Sequence, residues 1–325
     1  MPTLVSRRSQ FNRSTFRART GAFAFVALAC FALPPSCAPT EARSLDGRAL
    51  TAPQLGKEKR ARLEVDLADA RARMDSQPDS VDAAVWVGRR LAYLGQYREA
   101  IEWYTMAIAR FGPDPALLRH RGHRFVTVRA FAQAEQDLSR AMALCAGKPD
   151  EIEVDGIPTA GGPRTTLQGN IAYHLALAQF CQGKLDSAAA SWRKALELAT
   201  NDDADVSARY WLAVTEFERG DADMARAVLA PLREAPPMDV RENRSYHRLA
   251  LALRGDIAID SLKPSDGPLG LGVDRATLGF GRAMHARHIA RDEALARETL
   301  RETSRLEEWP AFGVIAAEAT LARAK

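Results

Sequence analysis

VDAAVWVGRRLAYLGQYREAIEWYTMAIARFGPD, from Val81 to Asp114, is followed without a gap by PALLRHRGHRFVTVRAFAQAEQDLSRAMALCAGK, from Pro115 to Lys148. The two stretches agree wherever one helix must cross another closely. Gly88, Leu91, Gly95, Tyr97, Ala100, Tyr104 and Ala107 align with Gly122, Phe125, Arg129, Phe131, Ala134, Leu138 and Ala141. Arg129 departs from the pattern, standing where the first unit has a glycine. Small residues at fixed places with bulky apolar residues between them describe a helical hairpin that buries its apolar face against the next copy of itself.

The punctuation agrees with that period. Pro78 stops a preceding helix over Lys57 to Asp75, in which Leu63, Leu67, Ala70 and Met74 recur at helical spacing. Ser80 is placed to cap the next helix. Asp114 followed by Pro115 is a helix start, because a proline at the first helical position forfeits no hydrogen bond. After Cys145 the register breaks, and residues 146–164, rich in glycine, proline and acid, form an insertion. Thr165 with Gln168 has the spacing of a capping box. A third unit then spans 169–202, with Leu175, Ala176, Gly183, Ala188, Trp192 and Ala195 in place. A fourth spans 206–239 and is shortened by Pro231. One more helix covers Ser245 to Leu253, and Lys263 to Val273 reads as a loop. Helices follow from Asp274 to Ile289, from Asp292 to Leu306, and from Pro310 to the end of the chain.

These residues resemble the tetratricopeptide repeat (TPR) family. The resemblance implies an all-α fold, a TPR-type solenoid of helical hairpins wound into a right-handed superhelix, with a C-terminal capping helix over its exposed apolar end. It covers about Val81 to Asp239, and 57–262 is the expected extent of the solenoid, with residues 263–273 as a loop and 274–325 as a helical pair plus the cap. TPR units typically present ligand-facing residues from the inner face of each first helix. Here that implies a peptide-binding concave groove displaying Arg89, Tyr93, Arg119, His123, Asn170, Tyr173 and Tyr210. The lysine and asparagine clamp with which TPR co-chaperones grip an acidic chaperone tail is not reproduced, since Val85 stands where lysine is expected.

The 325 residues carry a net charge of +4, but Arg7, Arg8, Arg13, Arg17 and Arg19 are the only charged side chains before Glu41. From Glu41 onward 40 basic residues face 41 acidic ones, so charge gives no case for nucleic acid as a partner. Residues 1–37 read as an export signal: the arginines, an apolar run from Gly21 to Leu33 too short to span a bilayer, then a small-residue region. Cys37, or alternatively Cys30, is the expected lipidation site, and an ordinary cleaved signal is the competing reading. Residues 38–56 lack periodicity and read as a flexible tether. The expected location is the periplasm or a lipid anchor on the cell envelope, with membrane contact only through that lipid.

Cys145 and Cys181 fall at opposite ends of antiparallel neighbouring helices, about 18 Å apart by helical rise. A disulfide spans at most about 7 Å between Cα atoms, so both read as apolar filler. His120 with His123, and His285 with His288, have a one-face spacing but lack a third ligand, so no metal and no cofactor is expected. No nucleophile elbow, zinc-protease helix or phosphate loop occurs, and no catalytic residue is assigned. The dense basic run Arg119 to Arg124 suggests an anion grip, and Asp150, Glu151, Glu153 and Asp155 of the insertion are placed to fold over Arg89, Arg119 and His123. The function so implied is an exported protein or peptide interaction module, of unidentified partner. The alternatives are a self-associating structural component of an envelope assembly, and a hydrolase or transferase using His123 with the insertion's carboxylates.

Overall fold

The computed structural model describes residues 39–154, 163–235, 238–265 and 270–324. The leader, with Cys30 and Cys37, lies outside them. The described residues fall in one compact unit, Ala38–Lys325. A short hairpin, β1 (Thr40–Arg43) and β2 (Ala49–Thr51), precedes thirteen α-helices among the described residues. α1 (Lys57–Ser76) leads into the paired helices α2 (Val81–Tyr93) and α3 (Tyr97–Phe111), α4 (Pro115–Thr127) and α5 (Phe131–Leu144), α6 (Leu167–Cys181) and α7 (Leu185–Glu197), and α8 (Asp202–Glu218) and α9 (Ala222–Leu229). α10 (Arg244–Arg254), α11 (Leu271–His288), α12 (Glu293–Thr303) and α13 (Phe312–Arg323) complete the chain.

Each hairpin forms for the reason its glycines suggest. A Cβ on Gly122 would stand 2.6 Å from the Leu138 side chain, and one on Gly88 would strike the Tyr104 ring, so these crossings close only over glycine. Tyr104, buried between helices, keeps its hydroxyl satisfied by donating to the Val85 carbonyl at 3.2 Å. The turns joining paired helices need one residue in the left-handed region, which Gly95, Gly183 and Gly220 supply at φ of +81°, +76° and +87°. In the second unit that place belongs to Arg129, at φ +66°. Ser80 and Asp114 cap α2 and α4 as their positions require. At α6 the cap is Thr166, which accepts from the Gly169 N–H, one residue beyond the expected Thr165. α11 starts at Leu271, so Asp274 lies inside its first turn, where its carboxylate accepts from Ser245 and from the Ser265 amide.

The stretch expected to be a tether is built into the fold. Ala42 and Leu50 are buried, and the Glu41 carboxylate accepts the Arg98 N–H at the start of α3 at 3.0 Å. The indole of Trp309 donates to the Thr51 carbonyl at 2.8 Å, and Arg48 donates to the Ser304 carbonyl at 2.7 Å. The hairpin thus ties the first repeat to the last segment of the chain, and Trp309, Ala311 and Val314 share one apolar cluster with α1, α2 and α3.

α13 covers apolar surface, as expected of the last helix, but the surface it covers is the inner face of the solenoid. Gly313 through Thr320 are all buried, and Ile315, Ala316, Ala317 and Ala319 join the cluster that contains the buried faces of α6 and α8. A helix buried on every side needs neighbours on every side, and its one charged group there, Glu318, needs a partner among them.

Candidate functional site

The inner face is partitioned by two segments of the chain itself. The first is α13, and Arg129 fixes it. Its guanidinium donates to both oxygens of Glu318, at 3.0 and 2.8 Å, and to the carbonyls of Thr127 at 2.6 Å and Trp309 at 2.9 Å. Both side chains are almost wholly buried. A left-handed arginine costs about 1–2 kcal/mol relative to glycine, and a fully hydrogen-bonded buried pair accounts for its retention. At the far end of α13, Arg323 donates to the Phe180 carbonyl at 2.8 Å and lies beside Glu218. Glu218 also receives Arg287 and His288 at 3.1 and 2.8 Å. Burial by itself raises that carboxyl, but His288 and Arg287 bring it down to about 2.

The second segment is the start of the insertion. Residues 151–154 run beside 165–167, with the Glu153 amide donating to the Thr165 carbonyl at 2.9 Å and the Leu167 amide to the Glu151 carbonyl at 2.8 Å. Glu153 turns inward. Its carboxylate meets Arg119 Nε at 3.1 Å and His120 Nε2 at 3.0 Å, and accepts from Asn170 Nδ2 at 2.7 Å. Arg89 closes the other side, donating to the Val154 carbonyl at 2.6 Å and to the Tyr93 hydroxyl at 3.2 Å.

The hydrogen bonds assign the His120 tautomer. Arg119 Nη1 stands 2.9 Å from His120 Nδ1 and can only donate, so Nδ1 accepts and Nε2–H donates to Glu153. A neutral imidazole agrees with burial and the adjacent Arg119, which push His120 down to about 3. Burial would raise Glu153, but Arg119, His120 and Asn170 outweigh it and hold the carboxyl well below the ordinary range.

Bordered by the start of α13 and by residues 164–170, a cavity of about 1500 Å³ remains open among the described residues. His123, Asn170, Tyr173 and His174 line it from α4 and α6, Tyr246 from α10, and Phe312 from the start of α13. The imidazoles of His123 and His174 lie 4.1 Å apart, and Phe312 sits 5.5 and 5.6 Å from them. His174 Nδ1 donates to the Asn170 carbonyl at 2.6 Å, which turns Nε2 into an acceptor. Burial, then the positive charge of Arg124 and Arg119, holds both histidines well below their usual range, so this wall is aromatic and uncharged near neutrality.

The opposite rim is charged but internally paired. Asp203 accepts the amides of Arg241, Glu242 and Asn243 at 2.9–3.1 Å and faces Arg164 at 3.3 Å. Arg164 and Arg241 also pair with Asp239.

Of the seven groove residues expected from the sequence, Tyr93, His123, Asn170 and Tyr173 line the open cavity. Arg89 and Arg119 are on the inner face but are covered by the inserted strand. Tyr210 is corrected: it is wholly buried, with its ring 5.0 Å from Tyr246 and 5.6 Å from Trp211, because its register on α8 faces the neighbouring helix. Of the insertion's acids, Glu153 folds over the basic run, onto Arg119 and His120, whereas Asp150 accepts from the Gln168 amide, Glu151 is exposed and Asp155 lies outside the described residues; His123 belongs to the open cavity. His174, Tyr246, Phe312 and the Arg129–Glu318 pair were not anticipated. The break at Arg129 was the available signal for the last. Cys145 and Cys181 are free and buried, and burial pushes the Cys181 thiol up to about 12. No group of three or more metal-ligating side chains occurs among the described residues, and no described helix is long and apolar enough to cross a membrane.

Hairpins in 34-residue phase, glycine turns and a lined inner face define an all-α solenoid of TPR type. No family model and no curated protein matches the chain in sequence. Among solved structures it is similar to YrrB, a TPR protein with an unusual peptide-binding site, at 14% identity and a TM-score of 0.41, over 72% of this chain and 90% of that one. It is also similar to a tetratricopeptide repeat protein from Parabacteroides merdae ATCC 43184, at 16% identity and a TM-score of 0.47, over 80% and 92%. A third likeness is to the Naa15/Naa10 complex bound to HypK-THB, at 18% identity and a TM-score of 0.35, over 78% of this chain and 36% of that one.

Proposed function

We propose that this chain is an exported scaffold of the bacterial cell envelope that holds a segment of a partner protein in the cavity between α4, α6, α10 and α13. The supporting observation is that cavity of about 1500 Å³, lined by His123, Tyr173, His174, Tyr246 and Phe312 and flanked by a rim whose charges are already paired. Such a surface gains affinity by burying apolar and aromatic side chains and orientation from Asn170 and the imidazole acceptors. It favours a neutral, aromatic-bearing segment over a highly charged tail. The reading assigns the chain no catalysis of its own.

An immobilised panel of random peptides tests the site. Binding by the wild type should fall at least tenfold in Phe312→Ala and in Tyr173→Ala, and equal retention by both variants would sink this reading. Export and anchoring are supported by the arginine-rich, apolar leader. Intact mass of the protein expressed with that leader in a lipidating bacterium tests them: a diacylglyceryl adduct on Cys37 or Cys30 is the expected result, and an unprocessed cytoplasmic chain the contrary one. A mass that rises with protein concentration would favour the self-associating envelope component instead.

A further inference from the structure

The strand over the first half of the inner face is bound as a foreign peptide would be. Its backbone pairs on one edge with 165–167 and is met on the other by Arg89. Its side chains alternate: Glu153 points into the protein, while Ile152 and Val154 are 67% and 58% exposed. The strand therefore has little apolar hold on the body beneath it. Besides the backbone, two carboxylates secure it: Asp150 accepts from the Gln168 amide at 2.8 Å, and Glu153 is received by Arg119, His120 and Asn170.

Beside it lies a cavity of about 560 Å³, walled by Val85, Trp86, Ala116 and Leu167, that the described residues leave unfilled. The Glu153 carboxylate thus has a cationic receptor, and the pocket next to it holds no described side chain.

We propose that residues 150–154 are an exchangeable internal ligand, and that the site beneath them receives an extended partner segment carrying a carboxylate at the place of Glu153 and a bulky apolar side chain for the pocket beside Trp86. The apolar side chain gives the incoming segment what the internal strand lacks. That gain is needed, because a tethered competitor acts at an effective concentration in the millimolar range. Asn170 belongs to both sites, holding Glu153 and lining the larger cavity. Displacement of the strand releases it and opens the wall between the two. The inference does not rest on the larger cavity being the primary binding site.

The test uses the full chain and a fluorescein-labelled peptide of its own sequence from Lys148 to Val154, KPDEIEV, followed by anisotropy. Glu153→Lys places a like charge against Arg119 and expels the strand, so it should bind the peptide at least tenfold more tightly than the wild type. Adding Arg119→Ala should abolish the gain, while Phe312→Ala should leave it intact. Equal affinity of the wild type and a folded Glu153→Lys overturns the proposal. Should that variant fail to fold, amide exchange of Glu153 and Leu167 in the wild type decides. Excess peptide accelerates the Glu153 amide if the strand exchanges, while Leu167 stays paired with the incoming peptide, and unchanged protection of Glu153 overturns it.

Discussion

The two halves of the concave face differ in how their polar groups are satisfied. Over α2 and α4, the positive charge of Arg89 and Arg119 is met by the chain itself, and little is left for a partner unless the 150–154 strand leaves. Over α6 and α10, the wall is neutral and aromatic, and no described residue fills the space in front of it. One repeat architecture has therefore produced a half that stabilises the fold and a half that is available for recognition. α13 separates the roles, since its first residue, Phe312, faces the cavity, while Glu318 is locked to Arg129.

Removing a partner from a buried charge pair should cost most. Arg129→Ala leaves Glu318 buried and unpaired, and should lower unfolding stability by about 3–5 kcal/mol in urea titration. Arg129→Gly loses the same pair but relieves the left-handed backbone, so it should be less harmful than alanine by about 1 kcal/mol. Equal costs would mean that the turn at φ +66° carries no strain.

Acidification should come next. His120, His123 and His174 are all held below the 6.5 of an unfolded imidazole, so below that pH the unfolded chain binds protons that the folded one refuses. Stability is then complete above about pH 6.5 and falls as pH drops, by on the order of 1 kcal/mol per imidazole at pH 5.5. The midpoint of urea denaturation at pH 7.5 and 5.5 measures the sum. Repeating it in His123→Asn with His174→Asn shows how much belongs to the open half. Glu218 contributes in a lower window, from about 4.5 down to about 2, because its folded carboxyl is the depressed one.

A smaller loss is expected in the covered half. Arg119→Ala strands Glu153, which can swing out to water with its exposed strand, so the cost should be about 1–3 kcal/mol rather than that of Arg129. A cost as large as that of Arg129→Ala would show the strand to be an integral part of the core. The smallest effect is a gain. Arg291 also occupies the left-handed region, at φ +60°, but is exposed, so Arg291→Gly should stabilise by about 1 kcal/mol in thermal unfolding.

What could be read from the sequence was what repeats or sits close in the chain. Gly88, Gly122 and the glycine turns mark crossings that admit no side chain, and Ser80 and Asp114 are caps that act within three residues. The hairpin at residues 40–51 was missed although Asp46-Gly47 is a turn signal, because the strands flanking it are only four and three residues long and show no alternation. Tyr210 was misplaced because the typical inner-face positions assume a regular inner helix. On α8 Tyr210 is instead covered by Tyr246 of α10, whose ring lies 5.0 Å away, and is wholly buried. The run Gly313 to Thr320 is small or apolar except for Glu318 and Thr320, which is why the last helix covers apolar surface as expected, while the partner of Glu318, Arg129, could not be read from the chain.

The sequence by itself determined the architecture: hairpins in a 34-residue phase, their turns, and an inner face rich in arginine, histidine and tyrosine. Only the tertiary structure decided which part of that face stays open. The segments that fill the rest pair across long separations, Arg129 with Glu318 over 189 positions and Arg89 with Val154 over 65. Contacts of that range leave no period in the chain. They are set by which buried charge finds a partner and which apolar helix finds a channel, and both are properties of the assembled stack.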